Sequence, residues 1–475
     1  MRPFFFFVSI VVITIWGLCG TSCISDSFSS SPTDVLSFSR DTVNFDTVFT
    51  DLGTPTARLV VANRAKKGIV ISSIRLKNSD SKFQINVDGV CGKEFHDVEI
   101  WKEDSIFMFI ECLLPSTSDN EPYRVEDELE FVTNGVTQTV LLEAYGQNVT
   151  RFKAARITQD MRLTTKRPYV VFDSLVVDKG ATLSIDPDVR LLFHEGAELI
   201  VHGRIDATGA PGKLIQMRGD RLDNVLPDVG YDILSGQWKG VRISSESFDN
   251  KFEYVDMRST TDGLRVDSCG NTSLLKLRIY NSWLHNSQSH AFEAKYAKIE
   301  ALGACFSESA EAVVSLSGGV NNFVQCTIAN NYLFSAITEP LLCLYHCIPK
   351  HLEESDNTNP LMRAEFENSI IFGLSKDLNI GDLTDSNVFF RNVSFKSEGN
   401  NDDNFIDCLW DCDPMFLTDR PKYYFNYHVA YDSPVINMGN PAFLSSPLQI
   451  DMYGEYRNMS LPTLGAYVPA PEPQE

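Results

Sequence analysis

The chain has 475 residues, of which 43% are hydrophobic and 11% aromatic, so it is long enough for two or three packed domains and is not a disordered protein. Its formal net charge of -22 and its isoelectric point near 4.8 argue against nucleic acid or an anionic membrane surface as a partner. The same charge disfavours a polyanionic substrate unless a local basic patch overrides it.

Residues 1–22 have the pattern of an export signal. Arg2 supplies a positive charge, and an apolar run of about fifteen residues follows, which is short for a membrane span. The run ends in small residues before Cys23, so the stretch resembles a bacterial lipoprotein signal. The resemblance implies cleavage before Cys23, lipidation of its thiol and attachment to a membrane. An ordinary secretory signal is the alternative.

Residues 23–35 are rich in serine and predict a flexible tether. With Asp26 close behind the cysteine, this piece resembles the surface-export tethers of Bacteroidetes lipoproteins. The resemblance implies a location at the bacterial outer membrane, on its periplasmic or its cell-surface face.

Residues 36–148 alternate apolar and polar side chains as an antiparallel β-sandwich does. The phrases "VNFDTVFTDLGTPTARLVVANRAKKGIVISSI" and "TNGVTQTVLLEAYGQ" resemble immunoglobulin-like domains, which usually serve as spacers or docking modules. The predicted strands are Ala57–Asn63, Ile69–Leu76, Phe83–Val87, Ser105–Cys112, Leu129–Thr133 and Thr137–Ala144.

Between Tyr169 and Ile243, short runs of β-favouring residues recur, and each is closed by Gly, Asp or Pro, as in "TLSI-DPD", "RLLF-HEG" and "ELIV-HG". No crossover helix fits between the runs, so a coil of strands is favoured over a doubly wound α/β sheet. This stretch and the "GQWKGVRI" after it resemble the opening turns of right-handed parallel β-helix proteins of the pectin-lyase-like type. We assign residues 149–412 to such a domain.

A repeat supports this assignment. Similar segments begin at Asn281, Gly303, Gln325 and Asn368, which are 22, 22 and 43 residues apart. A period near 22 fits one turn of three short strands, and stacking of turns supplies the core. Asparagine tolerates the left-handed corners of such a coil and its amides can stack there, although a polar active face is the other interpretation of Asn281, Asn286, Asn330 and Asn368.

Two long loops interrupt the repeat, residues 220–236 and residues 333–363. Long loops on a regular scaffold commonly carry binding sites, so we expect these two to form the lip of a groove. The binding candidates are Asp228, Tyr231, Trp238, Tyr345 and His346.

The chain has eleven cysteines. Cys91 and Cys112 could form a disulfide in the first domain of an exported protein. Two C-x3-C pairs, Cys343 with Cys347 and Cys408 with Cys412, could be disulfides, buried free thiols or zinc ligands, and four cysteines allow three pairings. Cys305 and Cys326 are interpreted as buried thiols on adjacent turns of the coil.

Residues 413–470 contain "DPMF", "SPVINMG", "DMYGEYR" and "GAY" in order. They resemble the terminal segment of many secreted β-helix proteins, although Asn437 stands where the family generally has Asp. We expect an end cap over the open cross-section of the coil, with Arg457 bridging to Asp451 or Asp413. A catalytic role for these three residues is the alternative, and residues 471–475 are a tail.

The set of signatures of pectin-cleaving β-helix hydrolases, an N-T-D, a D-D with a G-H-G, and an R-x-K, is not found together in the sequence. A phosphate loop, a nucleophile elbow and an H-E-x-x-H motif are also absent. The catalytic candidates left are Asp262, Asp267, His285 and His290, a weak constellation. No metal site or cofactor is predicted, although Asp402 and Asp403 could bind Ca²⁺ if they are not simply a solvated turn.

The sequence therefore predicts a lipid-anchored, all-β protein whose partners are a membrane, through the anchor, and a glycan or a surface protein, but no nucleic acid. The leading hypothesis is a non-catalytic protein that presents an elongated face for adhesion or glycan binding. A polysaccharide lyase or glycoside hydrolase and an envelope-assembly protein are the alternatives. Carboxylates that converge with Lys, Arg or His on one face would favour the enzyme, and aromatic residues alone would favour the binding protein.

Overall fold

The computed structural model describes residues 27–226, 228–346, 360–380 and 387–472. The export signal, the predicted lipidation site Cys23 and Cys347 lie outside the described residues. The chain divides into two compact units, residues 1–147 and 148–475. Among the described residues, no helix is both long and apolar enough to cross a lipid bilayer.

The first unit consists of two five-stranded sheets, with strand orders β1-β3-β8-β5-β6 and β2-β10-β9-β4-β7. Inward-facing side chains of both sheets, such as Leu59 and Phe131, share one hydrophobic core. All six predicted strands are confirmed, the last two as parts of longer strands. The strands are β1 (Leu36–Phe38), β2 (Thr42–Phe49), β3 (Ala57–Asn63), β4 (Ile69–Leu76), β5 (Phe83–Val87), β6 (Val90–Gly92), β7 (Glu94–Ile100), β8 (Ser105–Cys112), β9 (Tyr123–Thr133) and β10 (Val136–Gln147).

The predicted tether is partly packed on this unit. The backbone N–H of Ser29 donates to the Gly68 carbonyl at 2.7 Å. The Phe28 ring lies 5.3 Å from the Trp101 ring. A flexible segment therefore cannot extend over the whole of residues 23–35.

The second unit is dominated by one 25-stranded sheet. Each strand pairs in parallel with strands of the neighbouring turns, as Tyr280 does with Leu302 and Cys305 with Thr327. These partners are 22 residues apart, which confirms the predicted period, and a large parallel sheet of this kind is consistent with a β-helix. A separate antiparallel hairpin, β19 with β20, lies in the loop of residues 220–236.

The strands of this unit are β11 (Thr150–Ile157), β12 (Met161–Leu163), β13 (Tyr169–Val177), β14 (Thr182–Ile185), β15 (Arg190–Phe193), β16 (Glu198–Val201), β17 (Arg204–Thr208), β18 (Ile215–Gly219), β19 (Asn224–Leu226), β20 (Val229–Gly230), β21 (Gly240–Ile243), β22 (Asn250–Glu253), β23 (Val255–Thr260), β24 (Leu264–Val266), β25 (Leu277–Tyr280), β26 (Trp283–Ser287), β27 (Phe292–Leu302), β28 (Cys305–Ser309), β29 (Val314–Val324), β30 (Thr327–Asn330), β31 (Leu342–Tyr345), β32 (Leu361–Glu367), β33 (Ile370–Gly373), β34 (Leu378–Asn379), β35 (Val388–Arg391), β36 (Ser394–Phe395) and β37 (Phe405–Ile406). Four short 3-10 helices are described: Tyr231–Ile233, Arg420–Lys422, Pro441–Phe443 and Ser446–Gln449.

Aromatic side chains stack along the inside of the coil. The rings of Phe323, Phe366 and Phe390 lie 5.0 Å apart from turn to turn. Phe405 then stacks on Phe390 at 4.9 Å, and Trp410 stacks on Phe395 at 4.8 Å. Burying each such side chain contributes roughly 2 to 3 kcal/mol, and Phe405 of the last strand, β37, continues the stack.

Three of the four asparagines predicted at corners of the coil have the expected left-handed backbone. Asn281, Asn286 and Asn368 have φ values of 41°, 58° and 48°, in the left-handed region that asparagine tolerates. Asn330 is not among the described residues with positive φ. The amides of Asn281 and Asn368 donate to the carbonyls of Ile450 and Asn440, at 3.0 and 2.9 Å.

The C-terminal segment, residues 413–470, therefore lies along the side of the coil. Its Tyr427, Leu448 and Ala466 pack against Tyr280 and Leu302 at the corners of successive turns. We expected a cap over the end of the coil, whereas these contacts are made along its side.

The expected bridge from Arg457 does not form among the described residues. The Arg457 guanidinium donates to the backbone carbonyls of Gly465 and Ala466. The buried Asp451 carboxylate accepts from the backbone N–H groups of Tyr453, Glu455 and Val468. The Asp413 carboxylate accepts from the N–H of Met415 at 2.8 Å. Each of these three charged side chains thus stabilises the backbone of the C-terminal segment through hydrogen bonds.

The expected disulfides are also absent from the described residues, where Cys91, Cys112, Cys343, Cys408 and Cys412 are free thiols. Cys91 lies on β6 and Cys112 on β8, with β5 between them. Two strand spacings of about 4.8 Å exceed the Cα separation of about 7 Å that a disulfide can span. Burial raises the pKa of the Cys343 and Cys408 thiols to about 11 and that of Cys326 to about 12, so these side chains pack as small hydrophobes.

Candidate functional site

A cavity of about 350 Å³ lies on the outer side of β23, β26 and β28. Its floor is formed by Arg258 on β23, His285 on β26 and Glu308 on β28, where Arg258 pairs with His285 and His285 with Ser307 on successive turns. Both loops predicted as lips contribute walls, the first through residues 228–230, 232 and 233 and the second through Leu333 and Phe334. Residues 422–425 of the C-terminal segment form the remaining wall, which the sequence did not predict.

The alternation of side chains along each strand determines which residues face the cavity. Val255, Met257 and Leu284 point into the hydrophobic core. The residues between and beside them, Asp256 and His285 among them, therefore point outward because successive side chains of a strand alternate between faces. The regular coil thus carries charged residues on neighbouring turns of one face.

Asp256, which does not line the cavity, forms a buried pair with His285 of the floor. His285 Nε2 lies 3.1 Å from Asp256 Oδ1. Burial opposes ionisation of Asp256, but Arg258 and His285 outweigh it and lower the pKa of Asp256 to about 2. Burial also lowers the pKa of His285, against the attraction of Asp256. At neutral pH a neutral His285 donates its Nε2 proton to an ionised Asp256.

Asp232 connects the loop of residues 220–236 to this floor through ion pairs. Its carboxylate lies 3.2 Å from the Arg258 guanidinium and 3.1 Å from that of Arg218. Asn286 donates to the carbonyls of Asp232 and Ile233 at 2.9 and 2.8 Å. The loop is therefore fixed to the strands by both charge and backbone contacts.

Glu308 is a buried carboxyl group at the bottom of the cavity. Trp283 Nε1 donates to Ser307 Oγ at 2.7 Å, and that hydroxyl donates to Glu308 Oε2 at 2.6 Å. The Tyr427 hydroxyl donates to the other oxygen, Oε1. Burial nevertheless raises the pKa of Glu308 to about 7, so the group exchanges a proton near neutral pH.

Aromatic rings line the rest of the cavity. Trp283 stacks on His285 at 3.8 Å with an angle of 12° between the rings. Phe334 and Tyr424 stand at the mouth, where 39% and 53% of their surfaces are exposed. The Tyr332 hydroxyl lies 2.6 Å from Ser235 Oγ. Rings of this kind offer an apolar face, and Trp and Tyr add a polar edge.

Three of the four weak catalytic candidates lie elsewhere. Asp262 pairs with Arg265 at 3.1 Å, and Asp267 pairs with Arg242 at 2.9 Å. His290 Nδ1 contacts the Ala312 carbonyl at 3.0 Å. Only His285 lines the cavity, and its carboxylate partner is Asp256, which the sequence analysis did not select.

Of the binding candidates, Asp228 lines the cavity and the others do not. Trp238 is in the core, stacked on Phe193 at 3.9 Å, and donates to the Arg258 carbonyl at 2.8 Å. Tyr231 lies beneath the Arg221 guanidinium. The Tyr345 hydroxyl accepts from Asn379, and His346 Nδ1 accepts from the N–H of Leu361.

The acidic pair of residues 402 and 403 lies in a turn. Asp402 Oδ1 accepts from the backbone N–H groups of Asn404 and Phe405 at 2.8 and 2.9 Å. These bonds fit the solvated-turn interpretation. Within the part of the chain that the structure describes, no three His, Cys, Asp or Glu side chains are grouped so as to hold a metal ion.

No protein-family model matches the sequence. No curated protein matches it significantly. Among solved structures, the chain is similar to a protein of unknown function from Porphyromonas gingivalis W83, with 10% identity and a TM-score of 0.18 over 26% of this chain and 50% of that one. It is also similar to a family 123 glycoside hydrolase from Clostridium perfringens, with 11% identity and a TM-score of 0.17 over 24% of this chain and 26% of that one. A third similar structure is the VesB protease of Vibrio cholerae, with 12% identity and a TM-score of 0.17 over 24% of this chain and 32% of that one. The matches span half or less of each solved chain, and at these TM-scores they carry no argument about fold or function.

Proposed function

We propose that this protein is a lipid-anchored component of the bacterial cell envelope that binds a glycan in the cavity on the side of its strand coil. The observation that carries the proposal is the composition of that cavity. Aromatic rings stand beside fixed polar groups on a rigid sheet, in a volume within the range of small-molecule sites.

This combination suits a sugar. A sugar ring presents apolar C–H faces that pack on aromatic side chains, while its hydroxyl groups both donate and accept hydrogen bonds. Glu308 and His285 supply polar atoms at the floor, and Trp283, Phe334 and Tyr424 supply the rings. Because these side chains are already held by their neighbours, little conformational entropy is lost on binding.

The structure also supports the domain types that we propose for the chain. Two five-stranded sheets around one core support an immunoglobulin-like first domain. Parallel pairing with a period of 22 residues and the left-handed corners support a right-handed parallel β-helix. The lipid anchor is supported by the pattern before Cys23, and outer-membrane attachment by the tether that follows it.

A second candidate function is glycoside hydrolysis, which one observation favours. The pKa of Glu308, which lines the cavity, is raised to about 7, and that of Asp256, which is buried and contacts the lining residue His285, is lowered to about 2. Two carboxyl groups held in opposite protonation states are what acid-assisted cleavage of a glycosidic bond uses. Protonated Glu308 would give its proton to the leaving oxygen while water attacks the sugar carbon and loses a proton to an ionised carboxylate.

The test is a glycan array and a turnover screen with a soluble chain of residues 24–475, which keeps the contact of Phe28 with Trp101. We expect binding that weakens at least tenfold in Phe334→Ala and does not change in Phe107→Ala, an exposed ring of the first unit. Binding without new reducing ends supports the glycan-binding protein. New reducing ends that disappear in Glu308→Gln support the hydrolase. Absence of any glycan binding contradicts both.

A further inference from the structure

A second cavity of about 300 Å³ adjoins the first. The two share Trp283, Tyr424 and Phe425 as lining residues, so the side chains of the C-terminal segment stand between them. The remaining lining of the second cavity is formed by Asn426, Tyr427, His428, Tyr453 and Tyr467.

The walls of the second cavity are also aromatic. His428 stacks on Tyr467 with 4.7 Å between ring centres and an angle of 18°. The Tyr453 ring lies 5.2 Å from His428 and is 46% exposed. An open aromatic surface thus continues from the first cavity to the second along the C-terminal segment.

The hydrogen bonds of His428 fix which of its nitrogen atoms can accept. Asn426 Nδ2 donates to the Tyr424 hydroxyl at 2.9 Å, so its Oδ1 is the atom 2.7 Å from His428 Nδ1. Because a carbonyl oxygen only accepts, His428 Nδ1 carries a proton. Burial lowers the pKa of His428, so the ring is neutral at pH 7 and its Nε2 is an acceptor.

Among the described lining residues of the two cavities, the Lys and Arg side chains are Arg258 and Lys422 of the first, and both have carboxylate partners. Arg258 lies 3.2 Å from Asp232, and Lys422 lies 2.7 Å from Asp419. Every Lys and Arg among the described lining residues thus already pairs with a carboxylate, and Asp228 adds a further carboxylate at the first cavity. A chain of uronic acids would therefore bring its carboxylates against acidic groups without compensation.

We propose that the two cavities form one groove that binds an uncharged oligosaccharide long enough to reach both of them, with the Tyr424 ring between two of its sugars. The inference rests on the proposed function and adds the length and the charge class of the ligand. Phe334 contacts one end of the oligosaccharide, the shared Trp283 contacts its middle, and Tyr453 with the acceptor Nε2 of His428 contacts the other end.

The test uses isothermal titration of the full chain after signal cleavage, in detergent. The probes are neutral gluco-, manno- and xylo-oligosaccharides of two to six residues, with oligogalacturonides of equal length for comparison. In the neutral series that binds, we expect affinity to rise with length. Tyr453→Ala should weaken the six-residue ligand at least tenfold and leave the two-residue ligand unchanged, whereas Phe334→Ala should weaken both. Tyr456→Ala is the matched control, since that ring is 81% exposed and lines neither cavity.

Three results would overturn the inference in different ways. If affinity does not depend on length, or if Tyr453→Ala has no effect on the long ligand, the extended groove is wrong while the proposed glycan site stands. If oligogalacturonides bind more tightly than neutral chains, the charge class is wrong. If no saccharide binds, the proposed function itself fails.

Discussion

The hydroxyl of Tyr427 donates a hydrogen bond to the buried carboxyl group of Glu308. The first residue belongs to the C-terminal segment and the second to strand β28, so this bond joins the segment to the floor of the candidate site. Asn331 donates to the same Tyr427 hydroxyl at 3.2 Å. The C-terminal segment is therefore part of the site as well as a covering of the coil.

Tyr427→Phe should raise the pKa of Glu308 above its value of about 7. A donated hydrogen bond favours the ionised carboxylate, so its removal favours the protonated form. The change also removes the acceptor of the half-buried Asn331 amide, at a cost of about 1 kcal/mol. The pKa can be followed by carbon-13 NMR of labelled glutamate, with Tyr423→Phe as the control. An unchanged pKa would show that the bond is not made in solution.

Glu308 should make stability depend on pH. Its pKa rises from an ordinary 4.5 to about 7 on folding. Between these values the folded protein binds more protons than the unfolded chain, so the contribution is fully present below pH 4.5 and is lost as the pH rises through 7. A shift of this size corresponds to about 3 kcal/mol.

Urea unfolding of the second unit at several pH values measures this contribution as the difference between the wild-type chain and Glu308→Gln. The free energy of unfolding of the wild-type chain should fall relative to that of the variant between pH 4.5 and 7. Parallel pH profiles of the two proteins would contradict the raised pKa.

The strands of both units could be predicted from the sequence because period-two patterns and turn residues are local features. Ser105–Cys112 was predicted residue for residue. The 22-residue period could be predicted because stacked turns repeat the same inward-facing apolar positions. The two loops at the cavity could be predicted because they interrupt that repeat.

The chemistry of the site could not be predicted in the same way. Glu308 lies in a strand of five buried residues, and nothing local distinguishes its carboxyl group from a surface charge. Its partner Tyr427 lies 119 residues further along the chain. The pair of Asp256 and His285 arises from register between adjacent turns, whereas the sequence analysis grouped His285 with acidic residues that were close along the chain.

Lys276 should be essential for the stability of the coil, although it has no carboxylate partner within 4 Å among the described residues. Its buried ammonium group donates to the carbonyls of Ser244, Ser245 and Ser247 at 2.6, 3.1 and 2.9 Å. Lys276→Met removes these three charge-assisted hydrogen bonds, although the Ser244 carbonyl still accepts from the Ser247 N–H at 3.2 Å, and should cost about 3 kcal/mol or more. The exposed Lys179, 3.5 Å from Glu246, provides the control, and Lys179→Met should change stability by less than about 0.5 kcal/mol. Equal effects of the two variants in urea unfolding would contradict this role.

Asn368 should stabilise the protein in two separable ways. Its φ of 48° is strained for most side chains, and its amide makes two bonds to Asn440: Nδ2 donates to the carbonyl at 2.9 Å, and Oδ1 accepts from the N–H at 2.7 Å. Asn368→Ala loses both bonds and keeps an unfavourable backbone, so we expect a loss of about 3 kcal/mol. Asn368→Gly loses the same bonds but accepts the positive φ, so it should be about 1 kcal/mol more stable than the alanine variant. Thermal or urea unfolding of the three proteins separates the two effects. An alanine variant as stable as the glycine variant would show that the left-handed corner is not strained. If both variants were as stable as the wild-type protein, the bonds between Asn368 and Asn440 would not hold the C-terminal segment to the coil at this turn.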